Sequence, residues 1–348
     1  MIGINNINAL AIFQNDTKYV FLGDIHVEND SPCENTIGVK QLLKYWFEYN
    51  ERHDISTDFY AEVNYTKSNK RKIIEHGSPL QLLPQWLPCF DVDKSCFVHA
   101  HYMNIRAVDV DGIVISIDPF DLLTLMYVMD RSSPEQIIKH KQDIIKLIKV
   151  LKSNYMDILN GLLQPQLQTL NKYKNLFRPY ANVFKHIEEH AVIRDGIKMF
   201  RVAAELLRLK SFNVSLANRI EHYIYRKAEL TMAKVSFDEE LSILDVIDYL
   251  PKHEINEALN NVLTQINNKL LPLGALVMDM YVLSRMFLYE SKEVVVYAGS
   301  SHISNYIEFF VKVLKMKPSF LILPSSNQCL VHPLLTRHLD INLYQNDI

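Results

Sequence analysis

The sequence predicts an α/β protein with a parallel or mixed sheet that is interrupted by a large helical segment. Short apolar runs typical of strands crowd the first third of the chain. Helical periodicity replaces them from about residue 119 to residue 290, and strand-like runs return after that. We therefore expect a discontinuous α/β core, residues 1–118 with 291–348, and a helical insertion or cap formed by residues 119–290.

The N-terminal third contains three strand-like runs, at residues 19–22, 59–63 and 105–110, each rich in β-branched or aromatic residues. Between the first two runs, apolar side chains recur at helical spacing over residues 37–49. A strand–helix–strand unit of this kind is typical of a parallel or mixed sheet.

The longest apolar run covers residues 270–289 and contains Asp279 and Arg285. Each charged side chain costs about 2.5–3.5 kcal/mol at the centre of a bilayer, so the run predicts a core helix and not a membrane span. Asp279 is then either a buried acid that supports the site or a hinge-side residue. Strand-like runs at 293–298 and 319–323 follow, with a predicted helix at 303–316 between them.

Composition and charge exclude several classes of protein. A hydrophobic fraction of 48% with 22% charged residues indicates a folded chain, and 37 Lys and Arg against 40 Asp and Glu leave no basic field for nucleic acid or an anionic membrane. The chain starts without the basic segment of a secretory signal, and four cysteines are too few for a disulfide scaffold. We expect a cytoplasmic protein that binds a small-molecule or peptide ligand; its oligomeric state stays open.

Two Gly-x-x-His motifs, Gly23 to His26 and Gly299 to His302, give the strongest functional signal. Nine glycines and thirteen histidines would produce about 0.3 such motifs by chance. Both motifs follow a strand-like run and precede a helix-prone segment. Because ligands bind at the carboxyl ends of strands, where glycine permits a tight turn, we expect His26 and His302 to meet at one edge of the sheet. The alternative is that each histidine only caps a turn.

Glu62 is the third candidate, because an ionised carboxylate within the apolar run 59–63 is costly unless it is paired or metal-bound. The alternative is an outward-facing residue on a half-exposed strand. His26, Glu62 and His302 either hold a divalent metal, for which zinc, manganese and iron are equally suited, or act directly as bases on water.

Several further residues are predicted to support this site. Strand alternation places Arg106 and Asp109 on opposite faces, and Asp109 near the strand end is the better candidate. His99 and His101 would point the same way on a strand, although a surface loop is an equal alternative. The supporting set is Gly23, Asp24, Arg106, Asp109, Asp279, Gly299 and Ser301.

The segments at 21–27, 61–63 and 298–303 resemble the TraB/TIKI group, which belongs to the superfamily of the erythromycin esterases and the haem-binding ChaN-like proteins. That group has paired Gly-x-x-His motifs and an acidic residue after the second strand. Residues 104–109 and 277–287 also look like stretches in uncharacterised relatives encoded by large DNA viruses. The resemblance implies a mixed sheet of two related strand–helix halves, each contributing one Gly-x-x-His turn to a shared cleft.

Members of this superfamily are described as metal-dependent peptidases, as esterases that open a lactone, or as haem-binding proteins. The resemblance therefore implies a metal-dependent hydrolase, peptidase- or esterase-like, with His26, Glu62 and His302 as its catalytic and metal-binding trio. The alternative is a catalytically inert binding or structural protein of the same fold, virion-associated or haem-binding. A viral chain would act in the host cytoplasm or in the virion. Fold analogy does not fix the substrate.

Overall fold

The computed structural model describes residues 3–25, 36–65, 79–87, 98–108, 114–115, 205–324 and 329–331, together with single positions between 133 and 149. The chain divides into two compact units. The first comprises Met1–Asn104 with Met286–Ile348, and the second comprises Ile105–Arg285.

The strands are β1 (Gly3–Asn5), β2 (Ile7–Gln14), β3 (Lys18–Asp24), β4 (Thr36–Ile37), β5 (Thr57–Tyr65), β6 (His99–Val108), β7 (Val114–Ile115), β8 (Glu293–Gly299), β9 (Phe320–Ile322) and β10 (Cys329–Val331). The helices are α1 (Val39–Arg52), α2 (Pro79–Trp86), α3 (Val214–Met232), α4 (Asp238–Val246), α5 (Ile255–Met286) and α6 (Ser300–Glu308). A 3-10 turn, Ile247–Tyr249, follows α4, and a π-helical turn, Phe309–Val313, follows α6.

The first unit is built on a mixed sheet in which six strands follow the order β6-β5-β8-β3-β2-β9. Strand β8 pairs in parallel with β3 on one side and with β5 on the other, whereas β2 pairs antiparallel with β3 and β9. A small second sheet has the order β10-β1-β4. The predicted α/β class with a mixed sheet is therefore confirmed.

The central strands are buried on both faces, since every residue of β8 and all but the last residue of β2 are buried. Helix α1 covers one face with the apolar residues whose spacing predicts it, and the predicted helix is confirmed with slightly later bounds. Its buried apolar side chains are Val39, Leu42, Leu43, Trp46 and Phe47. Aromatic rings pack closely elsewhere in the unit, for example those of Phe13, Tyr19 and Phe21 around Phe310.

Strand β2 has no counterpart among the predicted strands, the first of which begins at residue 19. Its sequence, INALAIFQ, lacks the polar–apolar alternation of a half-exposed strand. The cause is burial on both faces, which removes the need for polar residues at alternate positions.

The described residues of the second unit between 205 and 285 are mainly helical, in agreement with the periodicity of the sequence. Arg285 in α5 binds Glu205 with 2.6 Å between Nη1 and Oε1, while Asp279 is fully buried in the same helix. No helix in the described part of the chain is both long and apolar enough to cross a membrane. The rest of the predicted insertion lies largely outside the described residues.

Candidate functional site

The parallel pairing of β3, β8 and β5 brings the carboxyl ends of these strands to one edge of the sheet. Asp24 lies opposite Gly299, and Glu62 follows Ala61, which lies opposite Tyr297. The main-chain N–H of Gly299 donates a hydrogen bond of 2.6 Å to Oε2 of Glu62. Residues that are far apart in the sequence therefore meet at the edge where α/β sheets bind ligands.

His302 faces the other oxygen of the same carboxylate. Its Nε2 lies 3.7 Å from Oε1 of Glu62, which is an ion-pair distance for a protonated imidazole but too long for a hydrogen bond. The side chains of Glu62 and His302 keep 17% and 11% of their surface exposed. Since Gly299 is the N-cap residue of α6, the carboxylate also lies at the helix end where the backbone dipole favours negative charge.

Asp24 is held at the end of β3 by two contacts. The phenol of Tyr297 donates to its carboxylate, and Ser300 Oγ donates to its main-chain oxygen at 3.0 Å, while the same hydroxyl also contacts the Asn8 side chain. Burial raises the pKa of Tyr297 well above its ordinary value, and the charge and hydrogen bond of Asp24 raise it further. The end of β3 is thus tied to β8 and to the first turn of α6.

The two motif glycines have different structural roles. Gly299 has φ −56° and ψ 145°, an extended conformation that any residue can adopt. Gly23 lies within β3, and a Cβ there would be 2.8 Å from the Cβ of Ala9 on β2. The chain therefore passes directly from β8 to α6 at Gly299 in a conformation that does not need glycine, whereas Gly23 is required by the close approach of two strands.

Not every predicted site residue falls within the described part of the chain. His26 and Asp109 lie outside it, and Arg106 has a described backbone in β6 but no described side chain. Ser301 is exposed in the first turn of α6, and Asp279 is buried in the second unit. Among the described residues, no group of three His, Cys, Asp or Glu side chains is arranged to hold a metal ion.

A second polar cluster, which we call the Asp58 cluster, consists of Asp58, His99, His101 and Ser291. Ser291 Oγ donates to Oδ2 of Asp58, and His101 Nε2 lies 2.8 Å from Oδ1. His99 Nδ1 lies 3.6 Å from that same oxygen. Burial raises the pKa of Asp58, but the hydrogen bonds from His101 and Ser291 and the charges of both histidines outweigh it, so the pKa is lowered overall.

The sequence indicates the two histidines of the Asp58 cluster but not Asp58 or Ser291. The spacing of His99 and His101 predicts that both point to one side of a strand, and both indeed face Asp58 from β6. Nothing in the pattern around residue 58 marks it as their partner, because the contact depends on which strands lie side by side.

Glu293 begins β8 and lies at the opposite end of this strand from Gly299. Trp46 Nε1 donates to it at 3.0 Å, Asn50 Nδ2 also donates, and Lys18 Nζ lies 3.4 Å from its other oxygen. Burial raises the pKa of Glu293, and Lys18, Asn50 and Trp46 oppose that effect only in part.

Comparison of the chain with protein-family models, with curated proteins and with solved structures finds no match.

Proposed function

We propose that this protein is a metal-dependent hydrolase, peptidase- or esterase-like, with its site at the carboxyl ends of β3, β5 and β8. One observation carries the proposal. Glu62 and His302, from distant parts of the sequence, face each other at 3.7 Å at this edge, and their side chains keep 17% and 11% of their surface exposed. An acid and an imidazole held close together at such an edge are groups that hydrolysis of an ester or amide uses.

In this proposal the two residues have separate roles. Gly299 N–H holds Oε2 of Glu62, so that Oε1 is directed at His302. His302 takes the proton of the attacking water, and Glu62 stabilises the imidazolium that forms. Asp24, fixed by Tyr297, anchors the end of the strand that leads to His26.

A divalent ion, with zinc, manganese and iron equally suited, would be held by His26, Glu62 and His302. The donor types of Glu62 and His302 fit such an ion, and the third ligand, His26, belongs to the proposal. When bound, the ion would lower the pKa of a water to about 7 and so supply hydroxide at neutral pH. His302 then acts as a ligand, and Asp24 keeps its positioning role.

The proposal extends to the architecture around the site. The sheet consists of two related strand–helix halves, each of which supplies one Gly-x-x-His turn, and the helical residues between 119 and 290 form a cap. The ligand is a small molecule or a peptide, and the protein acts in the cytoplasm, or in the virion if it is viral. The sequence context of His26 and His302, each of which follows a strand-like run and precedes a helix-prone segment, supports this view.

An inert binding or structural protein, virion-associated or haem-binding, is the second candidate, and one contact favours it. Glu62 already accepts the Gly299 N–H, a role that a capping residue performs without chemistry. Under this alternative, Glu62 serves to join β5 to the start of α6.

The substitution Glu62→Gln separates the two candidates. The amide oxygen of glutamine can still accept from Gly299 N–H, so the fold is kept, but the charge and the basicity are lost. We expect metal uptake at this site or hydrolytic turnover to fall by about 10–100-fold or more. Glu51→Gln, an exposed change on α1, is the matched control.

Calorimetric titration with zinc, manganese and iron, together with a panel of peptide and ester substrates, provides the measurement. A wild-type protein without hydrolytic activity and without a metal site that depends on Glu62 would contradict the enzyme proposal. Unchanged turnover in the Glu62→Gln variant would contradict the assigned role of Glu62.

A further inference from the structure

The Asp58 cluster joins two neighbouring strands of the main sheet through a buried charge. Asp58 lies near the start of β5, and His101 lies on β6, the strand beside it. His101 Nε2 lies 2.8 Å from Oδ1 of Asp58, and the two side chains keep only 12% and 2% of their surface exposed. The contact therefore forms away from bulk water, where the charge of each partner has a larger effect than it would at the surface.

The other contacts of the carboxylate are with one neutral hydroxyl and one exposed imidazole. Ser291 Oγ donates to Oδ2 of Asp58, whereas His99 Nδ1 lies 3.6 Å from Oδ1 and belongs to a side chain that is 75% exposed. Solvent screens a charge on such an exposed ring. His101 is therefore the group that can neutralise the buried carboxylate from within the protein.

Aromatic rings fix the position of His101. Its ring stacks on that of Tyr60, with the centroids 4.5 Å apart, and lies nearly parallel to the ring of Tyr289 at 6.1 Å. The titratable groups described around it are these two phenols, the Asp58 carboxylate and, on its own strand, His99. Phenols ordinarily titrate near about pH 10, so the imidazoles are the groups of this set that change charge close to neutral pH.

Glu293, another buried acid of this sheet, differs from Asp58 in the kind of cation beside it. Glu293 is paired with Lys18, and a lysine side chain ordinarily keeps its proton up to about pH 10. Asp58 is paired with an imidazole, which ordinarily loses its proton near about pH 6.5. The charge balance at Asp58 therefore depends on pH in a range where that at Glu293 does not.

We propose that Asp58 and His101 form a pH-sensitive latch between β5 and β6, which is tight while the imidazole carries its proton and weakens when that proton is lost. A neutral imidazole with its proton on Nε2 still donates to Oδ1 of Asp58. The buried carboxylate has then lost its counter-charge, however, and a hydrogen bond between a neutral donor and a buried charge holds the strands together less strongly than an ion pair does.

The two partners set the two limits of the pH range in which the latch is tight. The carboxylate at 2.8 Å favours the protonated imidazole, so the folded chain keeps this proton to a higher pH than the unfolded chain does. The stabilisation is therefore complete below about pH 6.5 and is lost as the pH rises through the point at which folded His101 releases its proton.

The lower limit is set by protonation of Asp58. Burial raises the pKa of Asp58, but the hydrogen bonds from His101 and Ser291 and the charges of both histidines lower it further, so its carboxylate stays ionised to below about pH 4. The latch is therefore tight in mildly acidic conditions and loose in mildly alkaline ones.

Amide hydrogen exchange of the full chain tests the latch, because it reports local opening of each strand. Mass spectrometry follows the exchange at about pH 6 and about pH 8.5, and the rates are corrected for the intrinsic effect of pH on exchange. Between these two pH values we expect the amides of β6 to lose about tenfold in protection relative to those of β3, which corresponds to a difference of one pH unit in proton affinity between the tight and the open latch.

His101→Gln is the variant that assigns the effect, since glutamine still donates a hydrogen bond to Asp58 but has no proton to lose near neutral pH. In this variant the protection of β6 relative to β3 should be equal at the two pH values. His99→Gln should keep most of the wild-type difference, because His99 is mostly exposed. His53→Gln, which replaces an exposed histidine at the end of α1, is the matched control and should keep all of it.

Two results would overturn the proposal. One is equal protection of β6 at both pH values in the wild-type protein, a measurement that decides the question even if His101→Gln does not fold. The other is a loss in His101→Gln as large as that in the wild type, which would assign the pH dependence to another group. Hydrolytic activity does not enter either result, because neither residue of the latch belongs to the proposed hydrolase site.

Discussion

The two ends of β8 carry acidic side chains in opposite circumstances. At its start, Glu293 is buried and binds Trp46, Asn50 and Lys18. At its end, Glu62 from the neighbouring strand caps Gly299, keeps 17% of its side chain exposed and faces an imidazole at 3.7 Å. A buried carboxylate surrounded by donors stabilises the sheet, whereas a partly exposed one beside an imidazole can also meet a ligand from solvent.

The largest expected effect on stability comes from replacing Glu293, the buried acid at the start of β8. Glu293→Ala removes the acceptor for Trp46 Nε1 and Asn50 Nδ2 and the ion-pair partner of Lys18. Removing one partner of a buried ion pair typically costs about 3–5 kcal/mol, because the other partner is left buried without its counter-charge. We expect a loss of that size in the free energy of unfolding. Urea denaturation measures it, with the exposed Glu290→Ala as control. A loss below about 1 kcal/mol would show that Glu293 is not structural.

Asp58→Asn should have the next largest effect, and the effect should depend on pH. Near neutral pH we expect a loss of about 1.5–3 kcal/mol, because hydrogen bonds to the charged carboxylate are weakened. Since the pKa of Asp58 is lowered in the folded state, its stabilisation is complete above about pH 4, the ordinary unfolded value, and is lost as the pH falls through the folded pKa.

Denaturation of the wild-type protein and Asp58→Asn in parallel below pH 5 checks the direction. The difference in unfolding free energy should shrink steadily towards lower pH. A difference that grows on acidification would mean that the carboxylate is not held in its ionised form.

Gly23→Ala tests how closely the strands approach at the carboxyl end. The new methyl group would lie 2.8 Å from the Cβ of Ala9, so β2 and β3 must separate, at a cost of about 1–2 kcal/mol. Gly38→Ala is the control, because nothing lies within 4 Å of its added Cβ. In the double variant with Ala9→Gly, part of the loss should be recovered, and additive losses would argue against the contact.

Glu62→Gln should have the smallest effect on stability, a change within about 0.5 kcal/mol. Its amide oxygen can still accept from Gly299 N–H, and the lost ion pair with His302 is long and partly exposed. Thermal and urea denaturation beside Glu51→Gln would measure it. A loss comparable to that of Glu293→Ala would mean that Glu62 stabilises the fold as Glu293 does. The proposed difference between the two ends of β8 would then be wrong.

Local pattern alone predicts much of the sheet and of the site. The runs at 19–22, 59–63, 293–298 and 319–323 all lie within or overlap described strands, and the helical spacing of residues 37–49 matches α1. The motif glycine Gly299 predicts where strand and helix meet near His302. Strand β2 escapes prediction because Asn8, Ala9 and Ala11 interrupt the β-branched and aromatic residues that mark the other strands, such as those of β8.

By itself the sequence determined several of the strands, helix α1, and two polar residues of the sheet edge, Glu62 within β5 and His302 after β8. Only the tertiary structure decided that β8 lies between β3 and β5, which places Gly299 beside Glu62 and Ser291 beside Asp58, and that β6 lies on the other side of β5, which brings His101 to Asp58. The physical reason is that periodicity records the burial of each residue along its own element. The choice of strand neighbours instead depends on packing between residues hundreds of positions apart, which leaves no mark on local spacing.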